Sequence, residues 1–133
     1  MARIIMAEDD ELVAGVAQDA LIAAGHGVGV LADGANALAV IAARRPDLVI
    51  LDCNMPGLSG LLVLREMRNS ATLFDTPVLV LTGRQSERDA DLAFNEGADD
   101  YMRKPFDPDE LVFRVEQLLA KRAARPGARA ARG

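Results

Sequence analysis

Glu8, Asp9, Asp52, Thr82 and Lys104 are the side chains of this 133-residue chain whose types and placement suit concerted chemistry. Each stands just past a short apolar run. Ile4-Ile5-Met6-Ala7 runs into Glu8-Asp9-Asp10-Glu11, Leu48-Val49-Ile50-Leu51 into Asp52, and Val78-Leu79-Val80-Leu81 into Thr82, while Asp100-Tyr101-Met102 leads to Lys104-Pro105. A buried strand does not end in a carboxylate by default, because a lone charge at the edge of a core is costly to desolvate. Several carboxylates brought close together repel one another unless a cation sits between them. Oxygen-only ligands at an open edge suit Mg²⁺, which keeps several of its waters. An acid beside such a cation and a lysine can attack phosphorus and become an aspartyl phosphate. Metal and ammonium would then neutralise charge on the phosphoryl oxygens, and the Thr82 hydroxyl could hydrogen-bond one of them.

These residues converge only if the intervening chain folds as alternating strands and helices. After the acids at 8–11, Leu12, Val13, Val16, Ala17, Ala20, Leu21 and Ala24 recur at helical spacing, with Gly25 as the C-cap. Val28 to Ala32 reads as a second strand, and Asp33 caps a helix carrying Ala37, Leu38, Ile41 and Ala42 that stops before Pro46. Past the Pro56-Gly57 turn, Leu58, Leu61, Leu62, Leu64 and Met67 predict a helix to about Ser70. Ser86 is the expected N-cap of a fourth helix with Glu87 and Asp89 in its first turn and Gly97 beyond its end. Asp107, Pro108 and Glu110 mark the last helix as N-cap, first helical residue and capping-box acid, and Leu111, Val115, Leu118 and Leu119 form its buried face. Five strands alternating with five helices imply an α/β protein with a parallel sheet covered on both faces. Ligand sites in such doubly wound sheets lie at the carboxyl ends of the strands. That is the edge where the five chemical residues fall.

Composition narrows the class. The length accommodates one domain, and the 50% hydrophobic, 4% aromatic content implies an aliphatic core. No apolar run approaches the roughly 18–20 residues of a membrane span, and the first apolar run is too short for a signal peptide. A lone Cys53 makes no internal disulfide, which fits a reducing cytoplasm. Net charge is −5, but all 20 acids lie at or before Glu116 and five of the 15 basic residues lie after Ala120. Residues 1–120 therefore set ten basic residues against twenty acids and carry −10. An acidic body argues against nucleic acid as the main partner and against a membrane role, and is compatible with a divalent cation. The residues from Arg122 onward lack periodicity and are expected to be a disordered tail.

With these residues in place, the sequence resembles the receiver domains of two-component response regulators, in particular single-domain, chemotaxis-regulator-like ones. The likeness covers residues 3 to about 121 and rests on five separated features in the family's order. They are Glu8-Asp9, Asp52 followed by Asn54-Met55-Pro56-Gly57, Thr82, Tyr101, and Lys104-Pro105. The resemblance implies a flavodoxin-like five-stranded parallel sheet of order 2-1-3-4-5. It implies that Asp52 accepts a phosphoryl group from a sensor histidine kinase or phosphotransfer protein. Asp9, Asp52 and the backbone carbonyl of Asn54 would ligate Mg²⁺ (or Mn²⁺), with Glu8 acting largely through water. Lys104 would contact the phosphoryl group, across a Lys104-Pro105 bond that is commonly cis. Thr82 and Tyr101 resemble the coupled switch pair, and output would pass to a protein reading the fourth helix, fifth strand and fifth helix. By the same likeness the chain is no enzyme beyond its own phosphorylation and dephosphorylation, and it is a monomer or a phosphorylation-linked dimer. Glu8 stands where Asp is commoner and Gly83 where Ala is commoner, and neither removes a required group. Asn54 and Arg84 occupy positions that influence dephosphorylation in this family.

Plainer readings compete at several positions. Asp10 is favoured as a helix cap over a ligand, Tyr101 could be an ordinary half-buried strand residue, and Cys53 a buried inert thiol. His26 reads as a loop residue, and Gly25, Gly27 and Gly29 precede a strand, so they form no dinucleotide fingerprint. A phosphatase of the haloacid-dehalogenase type also uses a strand-end Asp with Mg²⁺, but needs a second acid two residues on, where this chain has Asn54. The other alternative is that the chain is the receiver of a longer, for example DNA-binding, regulator. Residues 1–121 are the expected receiver and 122–133 the tail.

Overall fold

The computed structural model describes residues 1–83 and 87–124, the side chains of 87–90 excepted. In chain order the elements are β1 (Arg3–Ala7), α1 (Glu11–Ala23), β2 (Gly27–Leu31), α2 (Gly34–Arg44), β3 (Leu48–Asp52), α3 (Gly60–Arg68), β4 (Val78–Thr82), α4 (Glu87–Asn95), β5 (Asp100–Arg103) and α5 (Pro108–Ala124). The five strands form one parallel sheet of order β2-β1-β3-β4-β5. This is the expected doubly wound topology.

Alternation along the strands builds two cores. Leu48 and Ile50 face one side with Ile4, Met6, Leu79 and Leu81, and are covered by Leu21 of α1 and Leu111 and Val115 of α5. Val49 and Leu51 face the other with Val78 and Val80, under Ile41 of α2, Leu64 and Met67 of α3 and Ala93 of α4. Each aliphatic side chain so buried contributes about 1.5–3 kcal/mol relative to exposure. The central strands β3 and β4 are buried at every position. Among the described residues no helix is long and apolar enough to cross a membrane.

Local capping sets most boundaries where they were expected. Asp10 caps α1 by accepting from the N–H groups of Leu12 and Val13, and Asp33 caps α2 by accepting from Asn36. Asp107 accepts from the Asp109 N–H at 2.8 Å at the start of α5. Gly25, at φ 98°, follows the last turn of α1.

Three expectations change. Helix α3 starts at Gly60, not directly after Gly57, because Ser59 is extended (φ −67°, ψ 157°) and its hydroxyl caps Leu62. Leu58 thus belongs to the loop, and Val63, not the 41% exposed Leu62, fills the core. Glu110 pairs along the helix where a capping-box bond was expected: its Oε1 accepts from Arg114 Nε at 3.1 Å and Nη2 at 2.8 Å, one helical turn on. The tail drawn from Arg122 begins too early. Helix α5 continues to Ala124, and Arg122 is buried because Nη1 donates to the Asp47 carbonyl at 2.9 Å while Nη2 lies 3.6 Å from Asp75. The Ser86 cap, Arg84 and residues 125–133 of the tail lie outside the described residues.

Candidate functional site

The carboxyl-terminal edge of the sheet gathers the residues read from the sequence. Chain crossing from β1 to α1 brings Glu8 and Asp9 to this edge, with the Glu8 N–H bonded to the Leu31 carbonyl at 2.9 Å. Asp52 is the last residue of β3 and is 4% exposed. Its Oδ1 accepts the Asn54 N–H at 3.2 Å, the first bond of the loop that leads to Gly57. Thr82 ends β4, and the Lys104 N–H bonds its carbonyl at 2.8 Å, which fixes the strand-to-loop exit of β5 above the same edge. The Lys104-Pro105 peptide is cis.

Three carboxylates and one ammonium meet there. Glu8, Asp9 and Asp52 each offer an oxygen within 4.8 Å of the others. Lys104 Nζ stands 2.7 Å from Glu8 Oε1 and 3.3 Å from Asp52 Oδ2. The 2.7 Å approach is a close ion pair, yet its angles fall short of a hydrogen bond, so Glu8 Oε1 keeps a lone pair without a well-aligned donor. Burial is the largest influence on Glu8 and raises its pKa; Lys104 opposes this, Asp52 adds to it, and the outcome is about 7. Burial pulls the Lys104 ammonium down, but Glu8 and Asp52 outweigh it and hold its pKa above the ordinary lysine value. Hard oxygen donors, an excess of negative charge and partial burial fit a small divalent cation. The residues whose oxygens could hold it are Glu8, Asp9 and Asp52.

Glu8 lies at the edge where it was expected, and its surroundings add a detail. It is 2% exposed and faces Lys104 directly, and its Oε2 accepts the Asp10 N–H at 3.2 Å. Thr82 is fully buried, and its hydroxyl donates to the Met102 carbonyl at 3.4 Å rather than to Asp52. Tyr101 lies one strand over and is half-buried, its ring edge-on to Phe94 at 5.3 Å and 85°. Asp10 is a cap and Cys53 is buried, as the plainer readings had them. Pairing Phe94 with Tyr101 was not legible, since helix α4 had to be docked on β5 before the two rings could meet. Gly60 was missed as well: a Cβ there would stand 2.8 Å from the Asp52 carbonyl carbon and nearer still to its oxygen. A glycine opening a helix beside a strand-end acid is the only signal the sequence offered.

Comparison with known proteins converges on one family. The sequence model of the response regulator receiver domain matches residues 4–116. Response regulator MprA of Mycolicibacterium vanbaalenii is 40% identical over 126 residues, spanning 95% of this chain and 54% of that protein. The chain thus covers about half the length of the curated relatives it matches. A Chloroflexus aurantiacus protein described as a response regulator superposes with a TM-score of 0.87 at 34% identity, over 90% of this chain and 98% of that one. Chemotaxis protein CheY4 of Vibrio cholerae does so with a TM-score of 0.82 at 30% identity, over 89% and 98%.

Proposed function

The chain belongs to the family of response regulator receiver domains, and on that premise we propose that Asp52 accepts a phosphoryl group from a phosphohistidine donor. The carrying observation is the placement of Lys104 Nζ 3.3 Å from Asp52 Oδ2, beside carboxylates whose charge it only partly offsets. An Asp52 oxygen attacks phosphorus in line with the bond to the donor nitrogen. The new O–P bond forms as the P–N bond breaks, and the departing imidazole keeps the electron pair and takes up a proton. Lys104 meets the phosphoryl oxygens as charge shifts onto them, an electrostatic role of the kind that dominates phosphoryl transfer. Bound Mg²⁺ (or Mn²⁺) at Asp9, Asp52 and the Asn54 carbonyl would neutralise charge on the same oxygens. Glu8 holds Lys104 near Asp52 and, through the Asp10 N–H, ties the acidic loop to the start of α1.

Phosphorylation gives Thr82 an alternative to its long bond to the Met102 carbonyl. A hydroxyl moving towards the phosphoryl group changes the packing of β4 against β5, next to the contact of Tyr101 on β5 with Phe94 on α4. The readable surface is then the face of α4, β5 and α5, with Phe94 and Phe113 exposed at 46% and 60%. Its reader is a separate protein in the reading favoured by the chemotaxis-regulator likeness. The half-length match to longer regulators supports the other reading, in which an output segment of the same polypeptide takes that role. Catalysis is limited to the protein's own phosphorylation and dephosphorylation, in the cytoplasm where the donor acts. Incubation with acetyl phosphate should add one phosphoryl group per chain, seen by intact mass, with Mg²⁺ and not with excess chelator. An unchanged mass in Mg²⁺ would sink the proposal.

A further inference from the structure

We propose that Gly34 is a positioning residue for the metal end of the site, acting through the backbone of Leu58; this rests on the reading of Asp52 and Asn54 above. The loop of residues 53–59 joins β3 to α3 and carries Asn54. A glycine packs against backbone at each end of it. Gly60, opening α3, lies against the Asp52 carbonyl and stands 3.3 Å, measured from an ideal Cβ, from Cys53 Cα. Gly34, opening α2, lies against Leu58: an ideal Cβ would be 2.6 Å from the Leu58 carbonyl carbon, nearer still to the oxygen, and 3.0 Å from Leu58 Cβ. The obstacle is main chain, so no side-chain rotation relieves it.

Gly34 differs in kind from Gly57 in the same neighbourhood. Gly57 sits at φ 76° with open space where a Cβ would be, so its need is conformational. Gly34 is needed for space. Nor can α2 retreat, because its first turn is fixed by Asp33, which accepts from Asn36 N at 2.8 Å and Nδ2 at 2.7 Å, while Ala37 and Ile41 are locked in the core. The loop is therefore the part that would yield. Its inner limb ends on the Asn54 N–H bonded to Asp52 Oδ1, so a displaced Leu58 moves the Asn54 carbonyl relative to Asp52. A coordination site tolerates about 0.5 Å of such error.

Titration calorimetry of the whole chain with Mg²⁺ compares wild type, Gly34→Ala and the control Gly15→Ala, whose Cβ in α1 meets nothing within 4 Å. The control should bind Mg²⁺ as wild type does. Gly34→Ala should bind about tenfold more weakly or worse, as loss of a supporting residue does at metal sites. A folded Gly34→Ala with wild-type affinity would overturn the inference and leave the functional reading standing. Should that variant not fold, amide shifts of the wild-type chain decide: Mg²⁺ should move the Gly34 amide together with those of Asn54 and Leu58 and leave Gly15 in place, and a stationary Gly34 overturns the inference. A wild-type chain that takes up no Mg²⁺ would bring down the functional reading and this inference together.

Discussion

The two ends of the sheet handle buried charge in opposite ways. At the amino-terminal end, His26 Nδ1 accepts the Ala2 N–H at 3.1 Å and Nε2 meets Glu116 at 3.1 Å. Asp47 Oδ2 accepts the Arg3 N–H at 2.8 Å, and Arg122 is shared between the Asp47 carbonyl and Asp75. These pairings join groups of matching character and tie the chain start to α5. At the carboxyl-terminal end, Glu8, Asp9 and Asp52 face Lys104, the one cation placed against them among the described residues. Like charges held together by the fold store a preference for an added cation or for covalent neutralisation. One end stabilises the domain; the other is left able to react.

The largest effect that probes this contrast is at Asp52. Asp52→Asn should abolish phosphorylation by acetyl phosphate, a loss of at least about 10³-fold for removal of a nucleophile. The same variant should melt higher than wild type without Mg²⁺, because it removes one of the crowded charges. Scanning calorimetry checks this, and a lower melting temperature would mean that the edge is not electrostatically frustrated.

Next in size is Lys104→Ala, expected to slow phosphorylation about 10²–10³-fold, the scale of losing one electrostatic stabiliser of a transition state. Rates at saturating Mg²⁺ measure it. At the opposite end, Arg122→Ala should cost about 1–3 kcal/mol of stability through the Asp47 carbonyl and Asp75 left behind in a buried setting. Mg²⁺ affinity and phosphorylation rate should stay at wild-type values in that variant, and denaturant melts with parallel titrations would show it. A change in both properties would erase the division of labour between the two ends.

The smallest effect is in pH. Glu8 titrates near 7 in the fold against an ordinary value of 4.5, so the folded chain binds the extra proton between those limits. Its contribution to stability therefore falls as pH rises through that window, the sign for an acid whose folded pKa is raised. Cation binding opposes protonation of the cluster. Mg²⁺ affinity should accordingly rise with pH up to about pH 7, by at most about tenfold per unit for one coupled proton, and level off above. Calorimetry across that range, repeated with Glu8→Gln, checks it; the variant's profile should be flat.

What the sequence revealed follows from how local each feature is. Asp10, Asp33 and Asp107 were legible as caps because their partners lie two or three residues on. Asp52, Thr82 and Lys104 were legible because a parallel sheet puts every strand end on one edge. Partners fixed by packing were not. Arg122 looked like the start of a solvated tail, yet helix α5 carries it across to Asp47, 75 positions away in sequence. His26 is the loop residue it was expected to be, but only the seating of α5 gives it Glu116, 90 positions on. Glu8 was legible as a member of the acidic cluster, but no spacing rule says that Lys104 would lie 2.7 Å from it.

The most direct test is to find where the phosphoryl group goes. After reaction with acetyl phosphate and Mg²⁺, borohydride reduces an acyl phosphate to the alcohol, and peptide mapping locates the converted residue. Conversion of Asp52 alone, lost in Asp52→Asn, is the expected result. Conversion at another acid, or none in a chain that binds Mg²⁺, would contradict the assignment of this edge.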